Sequence, residues 1–237
     1  MTDQEVAADH LKIIRSLMQR ATVYRAISAP AAIFGGIIAL VTGLVMAQRA
    51  PAPATGKPDG MVCDAFSTTR FQFEGAIDPM TFFSIWLGVL IIVAIFNATL
   101  LWRGSQLRSE LFFSSGMRLA LHATAPPMLA GGVVSYILIE VGGSMTVCAL
   151  LWVVFYSLAL LAARSFAPRS MRWLGWMFFC AGLGLFVLMR LFGHHLSGKF
   201  ATDQALAGLV MASTFGLLHL VYAMIILVRK PKGEEGI

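Results

Sequence analysis

Charged side chains are scarce in this sequence. They make up 13% of the 237 residues, whereas a soluble domain usually carries about 25%. Hydrophobic residues make up 58%, and the mean hydropathy is +0.77. This composition excludes a sizeable soluble domain and predicts one integral membrane domain. The net charge of +6 does not indicate a nucleic-acid partner, because the basic residues cluster beside apolar runs.

Cysteine is also rare, and its positions exclude a disulfide framework. The chain has three cysteines. Cys148 and Cys180 lie inside apolar runs, where a thiol behaves as a small hydrophobic group. Cys63 stands alone in a polar stretch, and no CxxC or Cys/His ligand spacing occurs. We expect no structural disulfide.

Catalytic and nucleotide-binding signatures are absent from the sequence. It contains no GxxxxGKS/T, GxGxxG, HExxH or GxSxG pattern. No lysine lies inside an apolar run, which argues against a retinal-type Schiff base, and no run holds the pair of carboxylates that a proton relay needs. These absences favour a protein that is not an enzyme.

Six long apolar runs are present instead. About 20 apolar residues cross a bilayer as a helix. We therefore predict an all-α, polytopic membrane protein, with six transmembrane helices in a bundle over residues 30–228. An outer loop follows the first span, and a cytoplasmic tail ends the chain. The spans are about 30–47, 82–102, 119–139, 145–163, 173–189 and 205–228, the outer loop is 48–80, and the tail is 229–237.

The segment before the first span, 1–29, has the pattern of an amphipathic helix. Thr2 and Glu5 form a capping box, and apolar residues recur at three- and four-residue steps as far as Tyr24. Two roles stay open for this segment: a helix lying on the cytoplasmic leaflet, or a docking helix for a protein partner through residues 1–24. Its length and acidic residues are unlike a secretory signal, so we expect the first span to be an uncleaved anchor.

The distribution of basic residues predicts the orientation. Thirteen of the 18 lysines and arginines lie on one side of the predicted membrane, in the N-terminal segment, two loops and the tail. Positively charged loops stay in the cytoplasm, so we expect both termini there, in a bacterial inner membrane. The five on the other side are Arg49, Lys57, Arg70, Arg190 and Lys199.

Two histidines lie within the apolar runs. His219 is well inside the last run and His122 is in the third, both in the predicted inner half of the membrane. Ionisable groups at membrane depth are costly and mark candidate sites. Two histidines on different helices are the axial ligands that a b-type haem needs, while the alternative is a hydrogen bond to a neighbouring helix. No cofactor is otherwise indicated.

A second polar group lies at the predicted outer surface. It comprises Glu140, Arg190, His194, His195 and Asp203. Adjacent histidines with carboxylates are ligands for zinc, copper or another divalent metal, but both histidines bind one ion only from a loop. The alternatives are solvated charge, or a Glu140–Arg190 ion pair joining two hairpins. Asp203 is also the predicted N-cap of the last span.

Other residues in the runs indicate helix packing. Asn97 is predicted to hydrogen-bond across helices, and Pro126 and Pro127 are predicted to break or kink the third span. Gly208 and Gly216 belong to a face of small residues on the last span, which admits a close neighbour. Residues 140–144 are too few for anything but a tight turn between spans three and four.

Two segments resemble a loosely defined group of hypothetical bacterial integral membrane proteins with six spans. They are RSFAPRSMRWLG (164–175) and STFGLLHLVYAMII (213–226). The group shares a basic N-terminal helix and a last span of the FGxLH type. The resemblance implies a bacterial inner-membrane protein and no activity, since no function is assigned to the group.

Three functions remain as hypotheses. The first is a non-enzymatic sensor, regulator or accessory subunit that associates with a protein partner in the lipid bilayer. The second is a small-solute transporter or channel that works as a homo-oligomer, with the proline-broken span and His219 along the path. The third is a haem- or metal-binding redox subunit.

Overall fold

Six long helices make up the regular structure in the computed structural model, which describes residues 29–50, 77–107, 115–163, 169–196 and 202–228. No strand occurs in these ranges. Each helix is long and apolar enough to cross a membrane, and to this extent the prediction of an all-helical, six-span chain is confirmed. The helices are α1 (Ala29–Gln48), α2 (Pro79–Gln106), α3 (Ser115–Glu140), α4 (Met145–Ala162), α5 (Arg169–Leu196) and α6 (Asp203–Val228).

Several predicted features lie outside the described residues. They are the N-terminal amphipathic helix with residues 1–24, most of the outer loop 48–80 with Cys63, and the tail 229–237. The predictions made for these segments stay predictions.

Two helices extend well past the apolar runs that predicted them. α2 and α5 each have 28 residues, or about 42 Å of helix against a hydrocarbon core of about 30 Å. The backbone hydrogen-bond ladder continues after the apolar run ends, so apolar composition alone places the helix ends too early.

α2 begins where its sequence predicts. The Asp78 carboxylate accepts a hydrogen bond from the Met80 N–H at 3.0 Å, and Pro79 follows the cap directly. The carboxylate satisfies one of the orphan donors of the first turn, and the proline lacks a donor that would otherwise be unpaired.

A tight turn joins α3 to α4 as an antiparallel hairpin. The Gly143 N–H donates to the Leu138 carbonyl at 2.8 Å, and the Gly142 N–H donates to the Ile139 carbonyl at 3.0 Å. This is the Schellman pattern, and Gly142 has the positive φ of 80° that the motif requires. The Ser144 hydroxyl then accepts from the Thr146 N–H to cap α4.

α4 lies at the centre of the described helices. It contacts α3, α5 and α6. Ten of its residues are buried, against two in α2, Phe82 and Trp86. Many of the large apolar side chains of α2 and α3 are exposed, as expected of helices that face lipid.

α1 and α6 approach each other closely through glycine. A Cβ atom added to Gly208 would lie 2.6 Å from the Gly43 carbonyl oxygen, and one added to Gly216 would lie 2.8 Å from Leu40 Cα. Both neighbours are backbone atoms, so only glycine fits at these two positions. The small residues of α6 therefore pack against α1 within the same chain.

α3 is continuous across Pro126 and Pro127, so these prolines do not interrupt the helix, while the predicted kink stays a prediction. Each proline removes one backbone donor, but the rest of the helical ladder holds. The Thr124 hydroxyl, which precedes the pair, donates to the Ala120 carbonyl at 3.0 Å. Membrane helices tolerate internal proline where neighbouring groups support the helix.

The two ends of the molecule differ in which helices begin there. α2, α4 and α6 begin at the end that holds Asp203, which we call the Asp203 end. α1, α3 and α5 begin at the opposite end, which holds Arg103 and which we call the Arg103 end.

Candidate functional site

His219 is hydrogen-bonded through both ring nitrogens. Nδ1 lies 2.8 Å from the Phe215 carbonyl oxygen one turn earlier, and Nε2 lies 2.9 Å from the hydroxyl of Tyr156 on α4. A carbonyl oxygen only accepts, so Nδ1 carries the proton and donates. In the neutral ring Nε2 is then an acceptor, and the Tyr156 O–H donates to it. These partners select one neutral tautomer.

Aromatic rings from three helices enclose this pair. The His219 ring centroid lies 5.1 Å from that of Phe178 on α5, 5.6 Å from that of Tyr156 and 6.2 Å from that of Phe215. Phe178 is fully buried. The enclosure links α4, α5 and α6 through one group of side chains, which we call the His219 cluster: Tyr156, Phe178, Phe215 and His219.

The backbone of α6 widens just before His219. Residues Ala212–Leu218 form a π-helical segment, a rare geometry that is frequent at functional sites. The hydroxyls of Thr214 and Ser213 both donate to the Val210 carbonyl oxygen, at 2.6 and 3.1 Å. These bonds satisfy a carbonyl where the α-helical ladder changes, and so support the wider turn.

The structure does not bring His122 and His219 together. His122 is exposed on α3. Gly131, nine residues later, is on the side of α3 that faces α4, because a Cβ added there would lie 2.8 Å from Phe155 of α4. Nine residues at 100° each place His122 on the side of α3 opposite α4. His219 instead contacts Tyr156 of α4. Axial ligation of one haem needs facing histidines, and one of the two hydrogen bonds of His219 would also have to break.

Asp203 caps a different helix from the one predicted. Thr202 is the N-cap of α6, and its hydroxyl accepts from the Ala205 N–H. The Asp203 carboxylate instead accepts from the backbone N–H groups of Met145 and Thr146, at 2.7 and 3.1 Å. A carboxylate at the positive end of the α4 dipole stabilises that end, so Asp203 ties α6 to α4.

The remaining outer residues do not join Asp203. Glu140 and Arg190 are exposed, and among the described residues no ion pair links them, so of the alternatives for these two residues the ion pair is not formed. His194 and His195 belong to the last turns of α5, and their side chains lie outside the described residues. The side chains that the structure does describe form no group able to hold a metal ion.

Gln204 is a buried polar residue that sequence reasoning missed. Its Nε2 donates to the Met46 carbonyl oxygen at 3.0 Å, and its Oε1 accepts from the Ile77 N–H at 3.0 Å. Met46 lies just before the outer loop and Ile77 lies near the end of that loop, so one amide holds both ends of the loop against α6. The one indication in the sequence was a glutamine at the start of an apolar run, where a polar side chain needs a hydrogen-bond partner.

Tyr156 was missed for a similar reason. It lies inside the apolar run of α4, about three turns after the start of the helix and more than one turn before its end, where tyrosine is less common than at the membrane interface. Its depth was a signal that its hydroxyl has a buried partner. The identity of that partner depended on the tertiary contact with His219.

Asn97 is exposed on α2, and its amide has no hydrogen-bond partner among the described residues. The predicted bond across helices is therefore not made to any residue that the structure describes. Thr99, on the same helix, satisfies its own hydroxyl by donating to the Phe96 carbonyl at 2.7 Å. Thr99 is therefore satisfied by its own helix, whereas Asn97 is bonded to no described residue.

Comparison with known proteins adds no family. No protein-family model matches the chain, and neither a curated protein nor a solved structure is significantly similar to it. The function is therefore inferred from the residues and contacts described above.

Proposed function

We propose that this chain is a non-enzymatic accessory or regulatory subunit that acts by associating with a protein partner in a bacterial inner membrane. In this proposal the six helices form a bundle with both termini in the cytoplasm. The proposal keeps the N-terminal segment, residues 1–24, as a docking helix on that side.

The observation that carries the proposal is the contrast between paired and unpaired polar groups. Inside the chain, the His219 cluster, Asp203 and Gln204 are hydrogen-bonded to other helices or loops. On α2 and α3, Asn97 and His122 are exposed and lack a partner among the described residues. Hydrocarbon leaves such groups unsatisfied, and a protein partner satisfies them.

The other two hypotheses have less support from the geometry. A transport path was expected along a proline-broken span, but α3 is continuous. A haem site was expected between His122 and His219, but they lie on helix sides that do not face each other. The transport and haem hypotheses both depend on residues whose contacts differ from those expected.

Co-purification from native membranes tests the proposal. The full chain and a variant lacking residues 1–24 are compared with a variant lacking the tail 229–237, which also removes basic residues. We expect a specific protein to be lost only from the N-terminal deletion, and expect that protein, when tagged, to recover the full chain. If the N-terminal deletion loses no protein, the docking role is wrong.

A further inference from the structure

α4 is buried along most of its length but is open on one side near the Arg103 end. Leu158 is 39% exposed and Ala162 is also exposed, although α4 is the central helix. Val147 lies on the same side of α4, eleven residues before Leu158, and it is buried. The side is therefore closed at the Asp203 end and open toward the Arg103 end.

The open side of α4 lies between its contacts with α3 and α5. A Cβ atom added to Gly131 of α3 would lie 2.8 Å from Phe155, and one added to Gly175 of α5 would lie 3.1 Å from Leu161. At about 100° per residue, the two exposed residues of α4 fall between Phe155 and Leu161 around the helix axis. They form the floor of a groove with α3 and α5 as its walls, which we call the α3–α5 groove.

The α5 wall of this groove carries Arg172 and Trp176, which are both exposed. Around the α5 axis they lie about 120° and 160° from Phe178, whose ring packs against α6. α6 meets α4 through Tyr156, which is about 160° around α4 from Leu158. α6 therefore covers one flank of α5, and the groove lies along the other flank, where Arg172 and Trp176 are.

Arg172 lies at the open end of the groove. It is three residues before Gly175, or about 4.5 Å farther toward the Arg103 end. Because Gly175 meets Leu161, Arg172 is level with the region just beyond Ala162, the last residue of α4. Trp173, beside Arg172, is 71% exposed. A cation and exposed tryptophan thus flank the mouth of the groove, and its floor is apolar.

The described carboxylates lie at the other end of the molecule. Arg172 is one of three exposed arginines at the Arg103 end, and it forms no ion pair with any described residue. The acidic residues within the described ranges are all at the Asp203 end: Asp78, Glu140 and Asp203. The described residues around the mouth of the groove therefore favour an anion.

We propose that the α3–α5 groove binds one anionic phospholipid, with the phosphate at Arg172 and an acyl chain over Leu158. A guanidinium matches the geometry of a phosphate, and tryptophan favours the headgroup level of a bilayer. A headgroup without an ammonium leaves the positive charge of this end uncompensated by the ligand, so it is preferred over a zwitterionic one. The lipid is a ligand in addition to the proposed protein partner and does not depend on it.

Native mass spectrometry of the full chain in detergent tests the proposal. The protein is titrated with phosphatidylglycerol or with phosphatidylcholine of the same acyl chains, and the fraction carrying one lipid is measured. We expect tighter binding of phosphatidylglycerol. Arg172→Gln is expected to weaken that binding about fivefold, the size expected for one basic residue near an anionic headgroup.

Arg190→Gln is the matched control for charge. Arg190 is exposed on the same helix, five turns later and so on the same side, but it lies at the Asp203 end, where the groove is closed. Its substitution is expected to leave phosphatidylglycerol binding unchanged. Equal losses in the two variants would indicate attraction to net charge alone and would overturn the proposal, as would equal binding of the two lipids.

Filling the groove tests its location without changing a charge. Ala162→Trp is expected to abolish the tighter binding of phosphatidylglycerol. Leu129→Trp is the control, because Leu129 is exposed on the side of α3 opposite α4, and it is expected to bind like wild type. An Ala162→Trp variant that retains the preference overturns the assigned groove. Displacement of the lipid by inorganic phosphate at equal concentration would show a phosphate site and overturn the lipid assignment.

Discussion

Polar side chains within the described helices differ in where their hydrogen bonds go. Hydroxyls such as those of Thr99, Thr124 and Ser157 donate to carbonyls of their own helix, which satisfies them whatever lies alongside. Tyr156 and His219 are different, because each depends on the other across two helices. Loss of one member leaves the other half-buried without that partner.

We predict that Tyr156→Phe destabilises the protein by about 1–3 kcal/mol. The substitution keeps the ring but leaves His219 Nε2 as a half-buried acceptor with no donor. A polar group left without its partner costs about this much. The free energy of unfolding in mixed micelles, measured by titration with a denaturing detergent, checks this.

Tyr136→Phe provides the control for the tyrosine prediction. Tyr136 is exposed, and its described contact is through the ring, with Phe83. Its effect is expected to stay within about 0.5 kcal/mol, the usual range for surface substitutions. Equal effects of the two substitutions would mean that the Tyr156–His219 bond contributes nothing to stability.

Two kinds of contact position α6 as an element. Glycine on α6 meets the backbone of α1, and side chains at its first turn hold α4 and the ends of the outer loop. The close approach is set by the absence of side chains, so it tolerates no added volume. The π segment lies along the same helix and places His219 against α4.

We predict that Gly208→Ala destabilises the protein by about 1–3 kcal/mol, the usual cost of overpacking. The new Cβ would lie 2.6 Å from the Gly43 carbonyl oxygen and 3.0 Å from the Ala47 nitrogen, and backbone atoms cannot move aside independently. The same unfolding titration measures the effect.

Gly184→Ala on α5 is the matched control, because nothing lies within 4 Å of a Cβ there. We expect it to be neutral or slightly stabilising, since alanine is the better helix former. A destabilisation as large as that of Gly208→Ala would show that the loss comes from glycine itself and not from the α1–α6 contact.

The whole molecule combines a compact side with an exposed one. α4 is surrounded by α3, α5 and α6, while α2 buries only Phe82 and Trp86. Each of the six helices is able to cross a membrane. The orientation in that membrane is predicted by the basic residues, which the positive-inside rule places in the cytoplasm.

We predict that Val141 faces outward and Leu107 faces the cytoplasm. Both residues are exposed, and they lie at the Asp203 and Arg103 ends respectively. With Cys63 replaced by serine, a membrane-impermeant maleimide is expected to label Val141→Cys in right-side-out vesicles. Leu107→Cys is expected to react only after permeabilisation. The reverse pattern would invert the orientation.

The sequence by itself determined the number of spans, the cap at Asp78 and the tight turn after Glu140. These are local properties, set by the length of an apolar run or by residues within one turn. Only the tertiary structure decided that Asp203 caps α4, that α3 continues through its prolines and that His219 pairs with Tyr156. Those outcomes depend on which distant groups meet: Tyr156 and His219 are 63 residues apart, and hydropathy carries no information about that pairing.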